Sequence, residues 1–313
     1  MEGAAGAGPD SLHHAAFLYR TPAEFSMVVL DFIEAGVSAD EAVLVAAAGP
    51  RLEQLRARLN GLGKLLTWAD TAGTGTNPRR MTAAIRSFAD EHRGQSIRCV
   101  QEPAWYSRSG EELCEAIRHE ALINLVLAGR PATMLCAYDL WRDAATIGSV
   151  ERTHPVMIQE GRWRPSGCYT AGVVFPAECD EPLSPPPRKA VMLPYRRDQA
   201  AVRRLTAEHA RQAGLSPDRA GDLVIAVGEL TGNTLAHTRG PGTLTIWAAS
   251  GEIICQVEDT GQISDPLVGT RRPDPAAYER GAGLWVVNQL CDLVQMRTGP
   301  GGTTFRVHMR LEA

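Results

Sequence analysis

The stretch from Gly221 to His237 constrains the fold most, because its pattern predicts a helix that carries a polar stripe. Side chains at the spacing of a buried helix face are Leu223, Val227, Leu230 and Thr234. Glu229 and Asn233 are four residues apart, so they stand one helical turn from each other on a neighbouring face. A carboxylate and a carboxamide on a mostly apolar helix indicate either a solvated face or a binding site.

Length and charge limit the classes of protein to consider. A chain of 313 residues is long enough for two domains, each with its own core. The net charge of −4 gives no support for direct nucleic-acid binding, which usually shows a basic surplus. No apolar run approaches the roughly 18 residues of a membrane span. Residues 1–9 are rich in Gly and Ala and carry Glu2, which predicts a short disordered lead rather than a signal peptide. We therefore expect a cytoplasmic protein without a membrane partner.

The cysteines indicate the redox state of the chain. They number seven and include no C-x-x-C pair, at Cys99, Cys114, Cys136, Cys168, Cys179, Cys255 and Cys291. An odd, dispersed set predicts reduced thiols rather than a disulfide framework or a zinc site.

Strands alternate with helices in the N-terminal half. A helix is predicted to begin at Thr21, whose hydroxyl suits the N-cap ahead of Pro22 and Glu24. Short apolar runs that read as buried strands occur at residues 17–19, 42–47, 97–100 and 133–138. This order predicts an α/β domain with a mainly parallel sheet, in which a ligand is expected at the carboxyl ends of the strands.

Three short motifs in this half suggest a family. His14 precedes a strand, Cys136-Ala137-Tyr138-Asp139 ends a later strand, and His154-Pro155 follows. In this order the motifs resemble the MEDS sensory domain of methanogen and methylotroph regulators, over residues 12–175. The resemblance implies that the domain senses a small organic effector, with His14, Cys136 and His154 as candidate ligand contacts. The alternative is that each of them is packed or hydrogen-bonded near a strand end.

A proline-rich segment separates the two halves. Acidic residues lead into Pro182-Leu183-Ser184-Pro185-Pro186-Pro187, without apolar periodicity. Such composition predicts a linker stiffened toward polyproline II. We place this linker at residues 176–190 and a second domain at residues 191–313.

Four separated signals follow one another in the C-terminal half. The helix with Glu229 and Asn233 comes first, and a predicted hairpin of strands at 243–248 and 253–257 leads into Asp259-Thr260-Gly261. Gly281-Ala282-Gly283-Leu284 then opens an apolar helix, and Thr303-Thr304 enters a final strand. The intervening residues 262–280 lack apolar periodicity, and loops of this length are usually functional.

Together these signals resemble the Bergerat (GHKL) ATP-binding fold, an α/β two-layer sandwich, over residues 190–313. The context of Glu229 and Asn233 looks most like the anti-sigma-factor serine kinases of the RsbW type. The resemblance implies an ATP site with Mg²⁺ on the amide oxygen of Asn233, a cation that prefers oxygen ligands. The resemblance also implies that Asp259 accepts a hydrogen bond from the adenine amino group and that Gly261 lies beside the base. Gly281, Gly283 and Leu284 would form the turn that binds the phosphates. Thr304, or less favourably Thr303, would support Asp259 or an ordered water near the base. Residues 262–280 would form a mobile lid with Arg271, Arg272 and Arg280.

The resemblance also implies an activity. Glu229 would be the general base that takes a proton from a serine or threonine hydroxyl of an anti-sigma antagonist protein. Such a kinase is also expected to sequester a sigma factor and to form a homodimer. Related proteins often carry Arg where this chain has Ala282, which favours an ATP-binding protein-interaction switch without kinase activity as the alternative. A sensor histidine kinase is a third hypothesis, with His209 as the phosphate acceptor.

Overall fold

The computed structural model describes residues 11–71, 77–103, 108, 110–171, 181–274 and 282–311. The chain divides into two compact units, residues 1–179 and residues 180–313. In the described part of the chain, no helix is both long enough and apolar enough to cross a membrane.

The N-terminal unit alternates strands and helices. Its strands are β1 (Leu12–Tyr19), β2 (Ala42–Ala47), β3 (Leu66–Asp70), β4 (Ile97–Gln101), β5 (Ala132–Asp139), β6 (Val156–Gln159) and β7 (Arg162–Pro165). Its α-helices are α1 (Pro22–Ser38), α2 (Gly49–Arg58), α3 (Pro78–Glu91), α4 (Gly110–Val126) and α5 (Ile147–Thr153), with short 3-10 helices at Asn60–Leu65 and Ala144–Thr146. Helix α1 begins as the sequence predicts, since the Thr21 hydroxyl accepts a hydrogen bond from the Glu24 amide at 3.1 Å.

These seven strands form one sheet in the order β3-β2-β4-β5-β1-β6-β7. All neighbouring pairs are parallel except β6 and β7, which form an antiparallel hairpin at one edge. The prediction of a mainly parallel α/β domain is therefore confirmed. One face of the sheet packs its alternate residues, among them Phe17, Val45 and Leu135, against Phe25 and Ile33 of α1.

The C-terminal unit is built from a different sheet. Its strands are β8 (Val191–Tyr195), β9 (Gly242–Ala249), β10 (Glu252–Asp259), β11 (Leu293–Gly299) and β12 (Gly302–Arg310), and its helices are α6 (Gln199–Ala213), α7 (Pro217–His237) and α8 (Ala282–Leu290). The strands are all antiparallel, in the order β11-β12-β10-β9-β8. The β9–β10 hairpin turns through Ser250 and Gly251, both at positive φ.

The C-terminal unit has two layers, the sheet and the helices, because alternate side chains of each strand face the helices. Cys255 and Val257 of β10 and Phe305 and Val307 of β12 face a core that the apolar sides of the helices complete. The predicted two-layer sandwich is confirmed. Strand β8 was not predicted, because its Pro194 weakens the strand signal, and a proline is tolerated at the edge of a sheet where β8 lies.

The proline-rich segment contacts the C-terminal unit rather than spanning open space. Arg297 donates a hydrogen bond from Nε to the carbonyl of Glu181 at 2.8 Å. Arg306 donates from Nη1 to the Ser184 hydroxyl at 3.3 Å, and its guanidinium lies 5.2 Å from the ring centre of Trp247. Residues 181–184 therefore cover part of the outer face of this sheet. Residues 176–180 of the proposed linker lie outside the described residues.

Candidate functional site

Helix α7 presents the predicted polar pair beside the start of α8. Glu229 is exposed and Asn233, one turn later, is half-buried. A Cβ atom placed on Gly283, the second residue of α8, would lie 2.3 Å from Oε2 of Glu229. Only a glycine therefore lets the N-terminus of α8 approach this carboxylate so closely.

Asp259, at the end of β10, is held by donors from two sides. Thr234 of α7 donates its hydroxyl to Oδ2 of Asp259 at 2.7 Å, and the Gly261 amide donates to Oδ1 at 2.7 Å. Tyr195 in turn donates to the Thr234 hydroxyl at 2.8 Å. Burial raises the pKa of Tyr195 to about 12, so its phenol stays protonated as a donor at neutral pH. The carboxylate of Asp259 still has acceptor capacity for a further hydrogen bond.

The turn after Asp259 is closed by Thr303 and not by Thr304. Thr303 is buried and donates its hydroxyl to the Gly261 carbonyl at 2.8 Å. Thr304 pairs with Glu258 in the register of β10 and β12, and neighbouring residues of a strand face opposite sides of the sheet. Thr304 was the preferred support of Asp259 in the sequence, and Thr303 is the threonine whose hydroxyl contacts the turn beside Asp259.

The phosphate-binding turn is described only in part. Gly281 and Arg280 lie outside the described residues. Helix α8 begins at Ala282. Leu284 is buried in the core, so its side chain anchors the start of the helix while its backbone remains the part that could contact a ligand.

The proposed lid is attached to the domain along its first half. The Ile263 amide donates to the Thr298 hydroxyl at 3.0 Å, and Asn288 of α8 donates from Nδ2 to the Gly269 carbonyl at 2.9 Å. Thr270 is completely buried, whereas Arg271 and Arg272 are exposed. These contacts attach residues 263–269 to the domain, and residues 275–280 of the predicted lid lie outside the described part.

The three predicted sensory residues come together in the N-terminal unit. His14 of β1, Cys136 of β5 and His154, which follows α5, are all completely buried. A fourth residue, Glu120 of α4, joins them. It was not predicted, because a glutamate on a helix gives no motif signal. The cluster lies between the sheet and α4 and not at the carboxyl ends of the strands, where a ligand was expected.

Comparisons with known proteins match a family model to each half of the chain. Residues 13–155 match the family model "MEDS: MEthanogen/methylotroph, DcmR Sensory domain", and residues 194–309 match "Histidine kinase-like ATPase domain". No curated protein matches the sequence.

A similar solved structure is that of the RsbU and RsbW domains of Rv1364c from Mycobacterium tuberculosis, at 19% identity and a TM-score of 0.31. The match covers 40% of this chain and 33% of that chain, so the present chain spans about a third of its length. From the two family models, the chain has an N-terminal MEDS domain and a C-terminal histidine kinase-like ATPase domain.

Proposed function

We propose that this chain is a signalling regulator whose C-terminal domain is an ATP-dependent serine/threonine kinase of the anti-sigma-factor type. Its substrate class is a serine or threonine hydroxyl on an antagonist protein, and the same domain sequesters a sigma factor. The MEDS domain biases this activity in response to a small organic effector. The family match supports ATP binding, and the RsbW-type motifs around Glu229 and Asn233 support the kinase assignment.

The residues present fit ATP and Mg²⁺. A Cβ atom on Gly261 would lie 3.0 Å from Oδ1 of Asp259, so the glycine keeps a cradle open where an adenine would meet the carboxylate. Asp259 would accept a hydrogen bond from the base, and the N-terminus of α8 would donate backbone N–H groups to phosphate oxygens. Asn233 supplies the carboxamide oxygen that a hard cation prefers. Bound Mg²⁺ would neutralise phosphate charge during transfer.

The observation that carries the kinase assignment is the position of the Glu229 carboxylate. It is exposed, and it lies against Gly283 at the helix N-terminus where phosphates are expected. Glu229 also lines an open groove of about 580 Å³ along α6 and α7, together with Gln199 and Arg203. A partner side chain can therefore reach the carboxylate from solvent.

In this assignment Glu229 acts as a general base. It takes the proton from the partner hydroxyl as that oxygen bonds to the γ-phosphorus, and the bond from the γ-phosphorus to the bridging oxygen breaks to release ADP. Asn233, one turn along the same helix, would hold the metal ion that neutralises phosphate charge. Helix α7 thus positions both groups on one rigid element.

Two other functions are alternatives to this one, an ATP-binding switch and a histidine kinase. Ala282 favours an ATP-binding switch without kinase activity, because the domain then lacks the Arg often found between the glycines. A histidine kinase finds less support. His209 lies on α6, inside the segment matched to the ATPase domain, and its Nδ1 hydrogen-bonds to the Leu205 carbonyl at 3.0 Å.

The test is phosphoryl transfer from radiolabelled ATP to a panel of anti-sigma antagonist proteins, with the full chain and Mg²⁺. The Glu229→Gln variant should bind Mg-ATP normally and transfer about 10²- to 10⁴-fold more slowly. Glu208→Gln, an exposed glutamate of α6, is the matched control and should behave as wild type. Tight Mg-ATP binding without Glu229-dependent transfer would establish the switch instead, and label on His209 would establish the histidine kinase.

A further inference from the structure

Four side chains converge on one point inside the MEDS domain. The distances to Cys136 Sγ are 3.3 Å from His14 Nε2 and 3.4 Å from Glu120 Oε2. Glu120 Oε2 lies 3.8 Å from His14 Nε2 and 3.5 Å from His154 Nε2. The four donor atoms all lie within 4.8 Å of one another, and all four residues are completely buried.

These separations match the ligand shell of a tetrahedral metal ion. Nitrogen and oxygen ligands lie about 2.0–2.2 Å from zinc and sulfur about 2.3 Å, which puts neighbouring ligand atoms about 3.3–3.7 Å apart. Four of the measured separations are between 3.3 and 3.8 Å. Little movement is therefore needed for all four atoms to reach a common centre.

Neighbouring groups orient both imidazole rings toward that centre. Asn124 donates from Nδ2 to the carbonyls of Glu120, Ala121 and Thr153, which leaves its Oδ1 facing His14 Nδ1 at 3.0 Å. His14 therefore donates from Nδ1 and offers the lone pair of Nε2 to the cluster. Metal-bound histidines usually have an oxygen partner of this kind on the outer nitrogen.

His154 shows the same arrangement. Its Nδ1 lies 2.9 Å from the Val150 carbonyl, which makes Nδ1 the donor. Its Nε2 is buried and makes no hydrogen bond to any residue that the structure describes. A fully buried ring nitrogen without a hydrogen bond, beside a carboxylate and a thiol, is available to bind a ligand.

Glu120 is also held in place from the outside. Gln101 of β4 donates from Nε2 to Glu120 Oε1 at 2.8 Å and to Cys136 Sγ at 3.3 Å. This contact occupies the outer oxygen of the carboxylate and leaves Oε2 for the cluster. The carboxylate is thus fixed in the orientation in which it can bind a cation through one oxygen.

Charge balance also favours a dication. Metal binding displaces the proton of a cysteine thiol, so Cys136 would bind as a thiolate. A thiolate and a carboxylate would then neutralise two positive charges in a region closed to water.

We propose that His14, Glu120, Cys136 and His154 bind one divalent transition-metal ion. Zinc is the best match, because two imidazoles, one thiolate and one carboxylate are ligands that it accepts in a tetrahedral site. The protein supplies all four ligands of the metal, which therefore links β1, β5, α4 and the segment before β6. The four side chains are completely buried and lie in direct contact with one another, which favours a metal ion over direct contact with an organic effector.

This proposal is independent of the kinase assignment, and its test uses the full chain purified without a histidine tag. We expect about one equivalent of zinc per chain by elemental analysis. After removal with a chelator, Co²⁺ should bind with the visible bands of a four-coordinate site and a thiolate-to-cobalt charge-transfer band. Added zinc should abolish both. A folded wild-type chain that contains no metal above background and gives no cobalt spectrum would overturn the proposal.

Variants assign the ligands. Cys136→Ser should lose the charge-transfer band, and the isosteric Glu120→Gln should weaken cobalt binding by at least about 100-fold, the upper range for loss of an outer neighbour. Asn124→Ala removes such a neighbour and should weaken binding about 10- to 100-fold. Cys99→Ser is the matched control, since Cys99 is a buried thiol of the adjacent strand β4 outside the four. An unchanged cobalt spectrum in Cys136→Ser, or loss of the spectrum in Cys99→Ser alone, would contradict the assignment.

Discussion

Thr234 joins helix α7 to the end of strand β10 by donating its hydroxyl to the carboxylate of Asp259 at 2.7 Å. The same hydroxyl accepts a hydrogen bond from Tyr195 of the edge strand β8. One side chain therefore ties three elements together directly beside Asn233. The position of Asp259 relative to the helix that carries Glu229 and Asn233 depends on this contact.

Replacing Thr234 by Val keeps the shape of the side chain and removes both hydrogen bonds. We expect the free energy of unfolding to fall by about 1–3 kcal/mol, because a carboxylate loses a donor and a buried phenol loses its acceptor. ATP affinity should fall as well, since Asp259 is no longer fixed. Chemical denaturation and calorimetry measure the two effects.

The control for this substitution is Thr231→Val. Thr231 is buried on the same helix, and its hydroxyl contacts Gln199 and the carbonyl of Val227 rather than Asp259. It should lower stability without changing ATP affinity. Equal ATP affinities for both variants and for the wild type would show that Thr234 does not position a nucleotide contact.

Gly283→Ala tests the close approach of α8 to Glu229. The new Cβ would overlap Oε2 of Glu229, which is the far end of a flexible side chain and can rotate away. Stability should therefore change by less than about 1 kcal/mol, because alanine also favours the helix. Phosphoryl transfer should fall at least about tenfold as the displaced base loses its alignment.

The control for Gly283→Ala is Gly228→Ala on α7, where a Cβ atom would meet nothing within 4 Å. Measurement of transfer rate and denaturation midpoint for both variants separates a local clash from a general helix effect. Full transfer activity in Gly283→Ala would mean that the carboxylate position seen here is not needed for the reaction.

The order of strands and helices predicted the class of the N-terminal domain, and periodicity predicted single elements of the C-terminal half, whereas the two-layer sandwich was implied by the resemblance to the Bergerat fold. Alternation in Phe305, Val307 and Met309 identified a half-buried strand, and the helix of Glu229 was recognisable from its spacing. Strands β3 and β8 and the β6–β7 hairpin escaped prediction because they are short, and because β3, β7 and β8 lie at sheet edges and bury few residues. The choice between Thr303 and Thr304 also required the register of β12, which local sequence does not specify.

The cluster of His14, Glu120, Cys136 and His154 could not be predicted from the sequence for a different reason. His14, Cys136 and His154 were singled out one by one, but the cysteine spacing argued against zinc because no C-x-x-C pair is present. Long-range pairing of β1 with β5 places His14 and Cys136 on one face, and Glu120 comes from a helix between β4 and β5. Ligands brought together by tertiary structure alone leave no local motif.

Gly232→Ala tests the reason for a glycine inside α7. A Cβ atom at this position would meet nothing within 4 Å in the described structure. The substitution should therefore raise the free energy of unfolding by about 0.5–1 kcal/mol, because alanine has the higher helix propensity. Thermal or chemical denaturation checks this. A stabilised variant with impaired antagonist binding would show instead that the glycine serves the partner, since Gly232 lines the groove beside Glu229.

Asn233→Ala tests the metal contact of the nucleotide site. Asn233 is half-buried and contributes little to the core, so the free energy of unfolding should change by less than about 1 kcal/mol. Affinity for Mg-ATP should fall at least about tenfold, because an oxygen ligand of the cation is lost, whereas weak binding of ATP in the presence of a chelator should not change. Calorimetry with and without Mg²⁺ measures both affinities. Gln212→Ala, an exposed carboxamide of α6, is the matched control and should bind as wild type. Unchanged Mg-ATP affinity in Asn233→Ala would remove the basis for placing the cation on α7.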